Sequence, residues 1–258
     1  MSIFDIKDKV VVITGGNQNI GLSVAKGLSE LGCIIVVGNS NKNNTKELFD
    51  YFKGNEKFFW YELDVSNAES VDSFFNAVKV KFGRIDALFN NAGVRVNQTA
   101  LEHDEDKWDW IFDVNVKGTM LCCQRVAEIM KLQGNGKIIN TSSISAYRGQ
   151  LMRSSYCATK AAINGLTAAL AVEWANYGIN INSVGWGGVD IAKTPINELG
   201  AGQKATVAMT PMKRLANKDD LVGPVAFLIS DASNFVNGQV ILVDGGWSIL
   251  GKPDFTDI

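Results

Sequence analysis

The amino-acid sequence predicts an α/β protein built on a doubly wound parallel sheet, and three observations carry that expectation. Short runs rich in β-branched residues alternate with longer segments of helical period, the pattern of strand–helix–strand units. Several of these runs are apolar at consecutive positions, as strands are when helices cover both faces of a sheet. The first run also passes through a glycine-rich turn directly into an amphipathic segment closed by glycine, "VVITGGNQNIGLSVAKGLSELG" from Val11 to Gly32. Together they describe a Rossmann-type sheet of seven strands with helices on both faces. At 258 residues the chain is long enough to bury one such core, so a single domain over residues 1–258 is expected.

The elements follow in order. "KVVVIT" (Lys9–Thr14) and "CIIVV" (Cys33–Val37) are the first two strands, flanking a helix that begins near Ile20 and stops at Gly32. "KFFWYELDV" (Lys57–Val65) is the third. Ser66, followed three residues on by Glu69, then reads as a capping box opening a helix that runs to about Phe82 and closes at Gly83. "ALFNNAG" (Ala87–Gly93) and "KIINTSS" (Lys137–Ser143) are the fourth and fifth strands. A strongly helical segment from Ser154 to Ala175 leads to "ININSVG" (Ile179–Gly185), and "QVILVDGG" (Gln239–Gly246) is the last. No repeat or linker divides the chain, and all four prolines lie beyond residue 190. The least regular stretch, about 185–217, holds two of them just after a strand. Ligands of open parallel sheets bind beyond the carboxyl ends of the strands, so this stretch is a candidate substrate lid.

Composition narrows the function classes. With 25 basic against 27 acidic residues there is no positive surplus to neutralise a phosphate backbone or an anionic bilayer, so neither nucleic acid nor membrane is an expected partner. The four cysteines, Cys33, Cys122, Cys123 and Cys157, lack C-x-x-C spacing and read as reduced core residues. His103, between Glu102 and Asp104, reads as a solvated loop residue; one histidine and scattered cysteines give no metal site. Asp5, Lys7, Asp8 and Lys9 stand where a signal peptide would need its apolar segment, and no uncharged apolar run approaches the ~18 residues of a membrane span. A cytoplasmic protein is expected.

Gly15 and Gly21 bracket the turn after the first strand, and the free N–H groups of the following helix make an anion site above it. A glycine-rich turn alone is equally a tight strand-to-helix connection without ligand. "TGGNQNIG" (Thr14–Gly21) is, however, similar to T-G-x-x-x-G-x-G, and further motifs follow in register. These are "NNAG" (Asn90–Gly93), Asn115 in "DVNVKG", "INTSS" ending in Ser143, "YCATK" from Tyr156 to Lys160, and "VDGG" (Val243–Gly246). From about Asp5 to Ile249 the chain resembles a classical short-chain dehydrogenase/reductase.

That resemblance implies a nicotinamide dinucleotide along the carboxyl edge of the sheet, and a homotetramer. Gly15, Asn17, Asn19, Ile20 and Gly21 would hold its phosphates. Asn91, Ala92, Gly93, Tyr156 and Lys160 would line its middle and nicotinamide end, with Gly187 and Val189 beyond. Asp64 and Val65 would meet the adenine, although Asp64 is equally a loop-capping aspartate. Asn19 replaces a family glycine. Asparagine is the non-glycine residue that best tolerates a left-handed backbone, and its amide adds a donor near the phosphates, so binding should survive. The tip of the second strand reads Asn39, Ser40, Asn41, Lys42, with no carboxylate to bond ribose hydroxyls and repel a 2′-phosphate. NADP(H) is therefore preferred, with NAD(H) possible and no metal.

Tyr156 and Lys160, four apart on a helix, project from one face. A neighbouring ammonium should lower the phenol pKa and let Tyr156 exchange a proton with a substrate oxygen. The family implies that Lys160 also holds the nicotinamide ribose, that Ser143 bonds the substrate carbonyl, and that Asn115 fixes a water in a proton relay.

The small-molecule substrate is less defined. The terminal stretches look most like the branch acting on sugars and sugar acids, such as gluconate 5-dehydrogenase and 2-deoxygluconate 3-dehydrogenase. Arg95, Arg148 and Arg153 could face the pocket and fork a carboxylate, or be solvated loop arginines. Trp186 replaces a family proline and could wall the pocket or sit in the core. Near it Ile191 replaces a threonine, with Thr194 close by. The expected reaction is hydride transfer between the nicotinamide and a carbohydrate-derived ketone or secondary alcohol: a keto-sugar acid, ketose or polyol. Small hydrophobic ketones and ketoacyl substrates are the alternative, the latter disfavoured because "AVEWANYG" carries no arginine. A non-catalytic dinucleotide sensor would be expected to have lost Ser143, Tyr156 or Lys160, and all are present.

Overall fold

The computed structural model describes residues 2–40 and 45–251. Its seven strands form one all-parallel sheet: β1 (Val10–Thr14), β2 (Ile34–Asn39), β3 (Phe58–Glu62), β4 (Ala87–Asn90), β5 (Gly136–Ser143), β6 (Ile179–Trp186) and β7 (Val240–Val243), in the spatial order 3-2-1-4-5-6-7. The helices are α1 (Asn19–Glu30), α2 (Lys46–Tyr51), α3 (Ala68–Phe82), α4 (Glu105–Phe112), α5 (Gly118–Gln133), α6 (Ser154–Trp174), α7 (Ala201–Met209) and α8 (Lys218–Ile229). The strand order reverses between β1 and β4. There the β1–α1 turn and the loop after β4 open side by side at the carboxyl edge, where such sheets bind ligands.

The two-residue period of the strands divides the core into two layers. Val10, Val12 and Val36 face Phe74 and Val78 of α3, Val126 and Met130 of α5, and Leu170 of α6. Val11, Ile13, Ile35 and Val37 face Leu22 and Leu28 of α1, Leu48 of α2, and Val225 and Leu228 of α8. All five residues of β1 are buried, which is why that strand reads as an unbroken apolar run.

Two details differ from the sequence expectation. α3 is capped by Asn67, whose side chain accepts from the Ser70 N–H at 3.0 Å; Ser66 is diverted one residue earlier, its N–H and hydroxyl both held by the Asp64 carboxylate. Cys33, Cys122 and Cys123 are buried, and desolvation pushes the Cys33 and Cys123 thiols up to about 12. Cys157 is not a core residue: it lies half-buried on α6, beside Tyr156. Gly83 does close α3 in the left-handed conformation, at φ +68°. Among the described residues no helix is long and apolar enough to cross a membrane.

Candidate active site

The turn after β1 keeps the shape that its glycines suggest. Gly15 sits at φ +64°, and a Cβ there would come within 2.9 Å of the Ala92 Cα. A Cβ on Gly21 would strike the Gly15 carbonyl and the Asn91 amide, so the turn and the post-β4 loop could not close on each other. Asn19 adopts φ +50°, the left-handed backbone asparagine tolerates. The loop from β4 fastens the turn: Asn91 Nδ2 donates to the Thr14 and Gly15 carbonyls, and the Thr14 hydroxyl accepts the N–H groups of Asn91 and Ala92. α1 begins with no side-chain cap and no acidic residue in its first turn, leaving its amino end suited to an anion.

A cleft of about 350 Å³ runs from this turn to α6. Gly15, Asn17, Asn19 and Ile20 line one end, Asn91, Ala92, Gly93 and Arg95 one side, and Tyr156 and Lys160 the far end, with Gln18, Val94 and Thr141 completing the wall. Gly21 lies beneath the turn. A larger groove of about 660 Å³ follows the outer face of α1 past Ile191, but four of its charges are paired in Lys26–Glu47 and Lys193–Asp219 bridges, and neither Tyr156 nor Lys160 enters it.

The other sequence-marked cofactor residues share the carboxyl edge without forming walls of the cleft. Asn39 accepts from the Trp60 indole N–H at 2.7 Å, and Ser40 is exposed; Asn41 and Lys42 lie outside the described residues. Asp64 is exposed and organises its own turn, while Val65 packs against Gly118 at the head of α5. The Gly187 N–H bonds the Val243 carbonyl, and Val189 bridges to Ala216. That bridge pinches together the two ends of residues 190–216, which carry α7.

Ser143 ends β5, Tyr156 opens α6, and Lys160 lies one turn further along. Lys160 Nζ donates to the Thr141 carbonyl at 2.7 Å and lies 5.6 Å from the centre of the Tyr156 ring. Burial lowers its pKa to about 8. The expectation that the ammonium would lower the Tyr156 pKa is corrected: burial raises it, opposed by the Ser143 hydroxyl and by the charges of Arg95 and Arg153. The Lys160 ammonium lies against the ring and is itself driven towards neutrality. The Ser143 hydroxyl donates to Ser145 Oγ and accepts the Ser145 N–H, both at 3.1 Å.

Asn115 is buried behind the cleft wall. It lies in a π-helical turn, Asp113–Lys117, which aims its side chain at the backbone of Val94. Its Oδ1 accepts the Val94 N–H at 2.8 Å, and Nδ2 donates to the Val94 carbonyl at 2.9 Å and to Thr159 Oγ1 at 3.2 Å. The side-chain amide is thus engaged with protein, and it ties the cleft wall to α6.

Trp186 is 4 % exposed and packs with Ile139 and Val184 in the α1/α8 core layer, so it forms no aromatic wall over the cleft; its indole N–H is buried without a partner. Arg95 is an exposed part of the cleft wall. Arg153 is half-buried, its guanidinium donating to Asn97 Oδ1 and Gln150 Oε1, and burial together with Arg95 lowers its pKa. Arg148 instead donates to the Ser248 carbonyl at 2.9 Å. Sequence reasoning missed Thr141, although its position two residues before Ser143 puts both on one face of β5.

The chain is similar to known proteins along nearly its whole length. Residues 15–248 match the family model described as "Enoyl-(Acyl carrier protein) reductase". A 2-dehydro-3-deoxy-D-gluconate 5-dehydrogenase of Pseudoalteromonas atlantica is 36% identical, the match covering 95% of this chain and 97% of the relative. The Escherichia coli protein of that name is 34% identical over 96% and 98%. The crystal structure of a gluconate 5-dehydrogenase from Burkholderia cenocepacia, in complex with NADP and tartrate, superposes with a TM-score of 0.88 at 32% identity, covering 96% of this chain and 98% of that one. The sheet, the cleft at its carboxyl edge and this similarity along nearly the whole length place the chain in the short-chain dehydrogenase/reductase family of oxidoreductases.

Proposed function

We propose that the protein transfers a hydride between NADP(H) and a carbohydrate-derived ketone or secondary alcohol, with a keto-sugar acid the favoured substrate. The observation that carries this reading is the single cleft that joins the glycine turn to Tyr156 and Lys160. The residues fit a dinucleotide: Gly15 and Asn19 hold the left-handed turn, the amino end of α1 is open to a phosphate, and the buried hydroxyl of Thr141, a residue of the cleft lining, has no protein partner. The bound nicotinamide supplies or accepts the hydride. Tyr156 donates a proton to the nascent alkoxide on reduction and removes it on oxidation. Ser143 turns its hydroxyl from Ser145 to the substrate oxygen, holding developing charge. Lys160, fixed to the Thr141 carbonyl, would hold the ribose, and Asn115 keeps the Val94 wall against α6.

NADP(H) is favoured because the described tip of β2 presents Asn39 and Ser40 and no carboxylate, and the similar Burkholderia protein holds NADP. NAD(H) is the second cofactor to test. The carboxylate reading rests on Arg95 and Arg153, whose charges both reach Tyr156. Residues 190–216, pinched at Val189 and Ala216, would close over the substrate.

Cofactor oxidation measured with NADPH and NADH in parallel, across keto-sugar acids, matched ketoses and simple ketones, tests the proposal. Faster turnover of keto acids with NADPH is expected. Preference for an uncharged ketone would remove the arginines from recognition, and nucleotide binding without turnover of any ketone would make the protein a sensor.

A further inference from the structure

His103 is the chain's one histidine, and nothing in the proposed reaction uses it. Contrary to the expectation of a solvated loop residue, it is half-buried between the helical turn Ala100–Glu102 and α4, with both ring nitrogens engaged. Nδ1 lies 3.0 Å from the Asp104 carbonyl and Nε2 2.8 Å from Ser155 Oγ, while the ring meets that of Trp108 edge-on. A carbonyl only accepts, so Nδ1 carries the proton in the neutral ring, and Nε2 accepts the Ser155 hydroxyl. Ser155 is wholly buried and immediately precedes Tyr156.

The first turn of α6 needs such a tie. Its N-cap is Arg153, which makes no side-chain capping bond, and Met152 before it sits at φ +61°, a backbone that non-glycine residues avoid. Tyr156 is only the third residue of the helix. Two further contacts lace the post-β4 segment to the same place: the Gln98 N–H bonds the Met152 carbonyl at 2.9 Å, and Arg153 Nε donates to Asn97 Oδ1 at 3.3 Å. Of the three, only the His103 contact grips a fully buried group inside the helix.

We propose that His103 is a positioning residue for Tyr156: through Ser155 it holds the first turn of α6, and with it the line along which the Tyr156 hydroxyl meets the substrate. The proposal rests on Tyr156 being the proton donor. Lys160 is held separately by Thr141, and the phosphate end of the cleft belongs to β1, α1 and β4. Loss of the tie should therefore lower kcat and leave cofactor affinity alone.

The test uses NADPH and whichever ketone in the panel above turns over fastest. His103→Ala and Ser155→Ala should each lower kcat about tenfold, with the NADPH Kd from fluorescence titration changed by less than about twofold. The double variant should be no worse than either single one, because both remove the same contact. His103→Gln, whose side-chain oxygen offers an acceptor of similar reach, should recover most of the loss. If His103→Ala does not fold, Ser155→Ala and His103→Gln carry the test. The proposal fails if kcat stays within about twofold in both alanine variants, if their losses multiply, or if the Kd rises in step with the fall in kcat. Near-normal turnover in Tyr156→Phe would instead remove Tyr156 from the reaction; collapse there beside intact His103→Ala would remove only His103.

Discussion

Replacing Lys160 with methionine isolates the cost of burying an ammonium in the floor of the cleft. Lys160 is 3 % exposed, and burial draws its pKa from 10.5 to about 8. A base with a depressed folded-state pKa gives up its proton earlier in the folded chain than in the unfolded one. Between about pH 8 and pH 10.5 the unfolded chain therefore binds more protons, and stability rises with pH. A displacement of that size opposes folding by about 3 kcal/mol at pH 7 and by about 1 kcal/mol at pH 9.5. Methionine fills a similar volume without charge and forfeits the bond to the Thr141 carbonyl, which contributes about 1 kcal/mol. The variant should thus be about 2 kcal/mol more stable than the parent at pH 7, and that advantage should vanish by about pH 9.5. Urea denaturation of the nucleotide-free chain at both pH values, at fixed protein concentration, measures it. Lys137, whose pKa burial also lowers to about 8, is common to both chains and cancels. A variant less stable than the parent at pH 7, or an advantage that does not change with pH, would refute the reasoning.

Three further outcomes are expected. Tyr156→Phe should bind NADPH within about twofold of the parent while kcat falls by a factor of at least about 10², the range of general acid–base catalysis; single-turnover kinetics and a binding titration separate the two. Arg153→Ala should raise KM for a keto-sugar acid about tenfold and leave its uncharged analogue near normal, whereas equal changes would show only lost packing against Asn97 and Gln150. Asn19→Val places a β-branched residue at φ +50°, a strain of about 1–2 kcal/mol, and should weaken NADPH about tenfold, while Asn19→Gly should bind as well as the parent; similar affinities in the two variants would show that the turn does not need the left-handed residue.

The parts legible in the sequence are those set by local backbone and period. The apolar runs of β1 and β2 and the glycine stop of α3 depend on residues close in the chain, and all stand where the pattern put them. At Asn19 the sequence offered only a residue type that tolerates a left-handed backbone; that the residue adopts it, at φ +50°, is shown by the structure. The site is another matter. The Asn115 amide turns to Val94 because of a π-helical turn, and Trp186 faces the α1/α8 layer because of its register on β6; no spacing along the chain states either fact. The Ser66 capping box had the right residue types and was displaced because Asp64, two residues earlier, offered a competing acceptor. His103 was misread because its partner is Ser155, 52 positions away.

Electrostatics was the least legible layer, because burial and charge act on the same groups with opposite signs. Tyr156 and Lys160 are four residues apart, which suggests a phenolate beside an ammonium, yet enclosure drives each group towards its neutral form. What opposes burial at Tyr156 comes from Arg95, on the loop after β4, from Arg153, just before α6, and from Ser143 at the end of β5. An anion drawn into the cleft would act on all of these charges together: beside Lys160 it would favour the ammonium, and against the two arginines it would offset the field that favours a phenolate. Occupancy of the cleft therefore shifts both Tyr156 and Lys160. In the proposed reduction Tyr156 must stay protonated until the hydride has moved. A substrate bearing its own carboxylate would help to hold the tyrosine in that state by neutralising the arginines it binds, which joins substrate choice and proton supply in one pair of side chains.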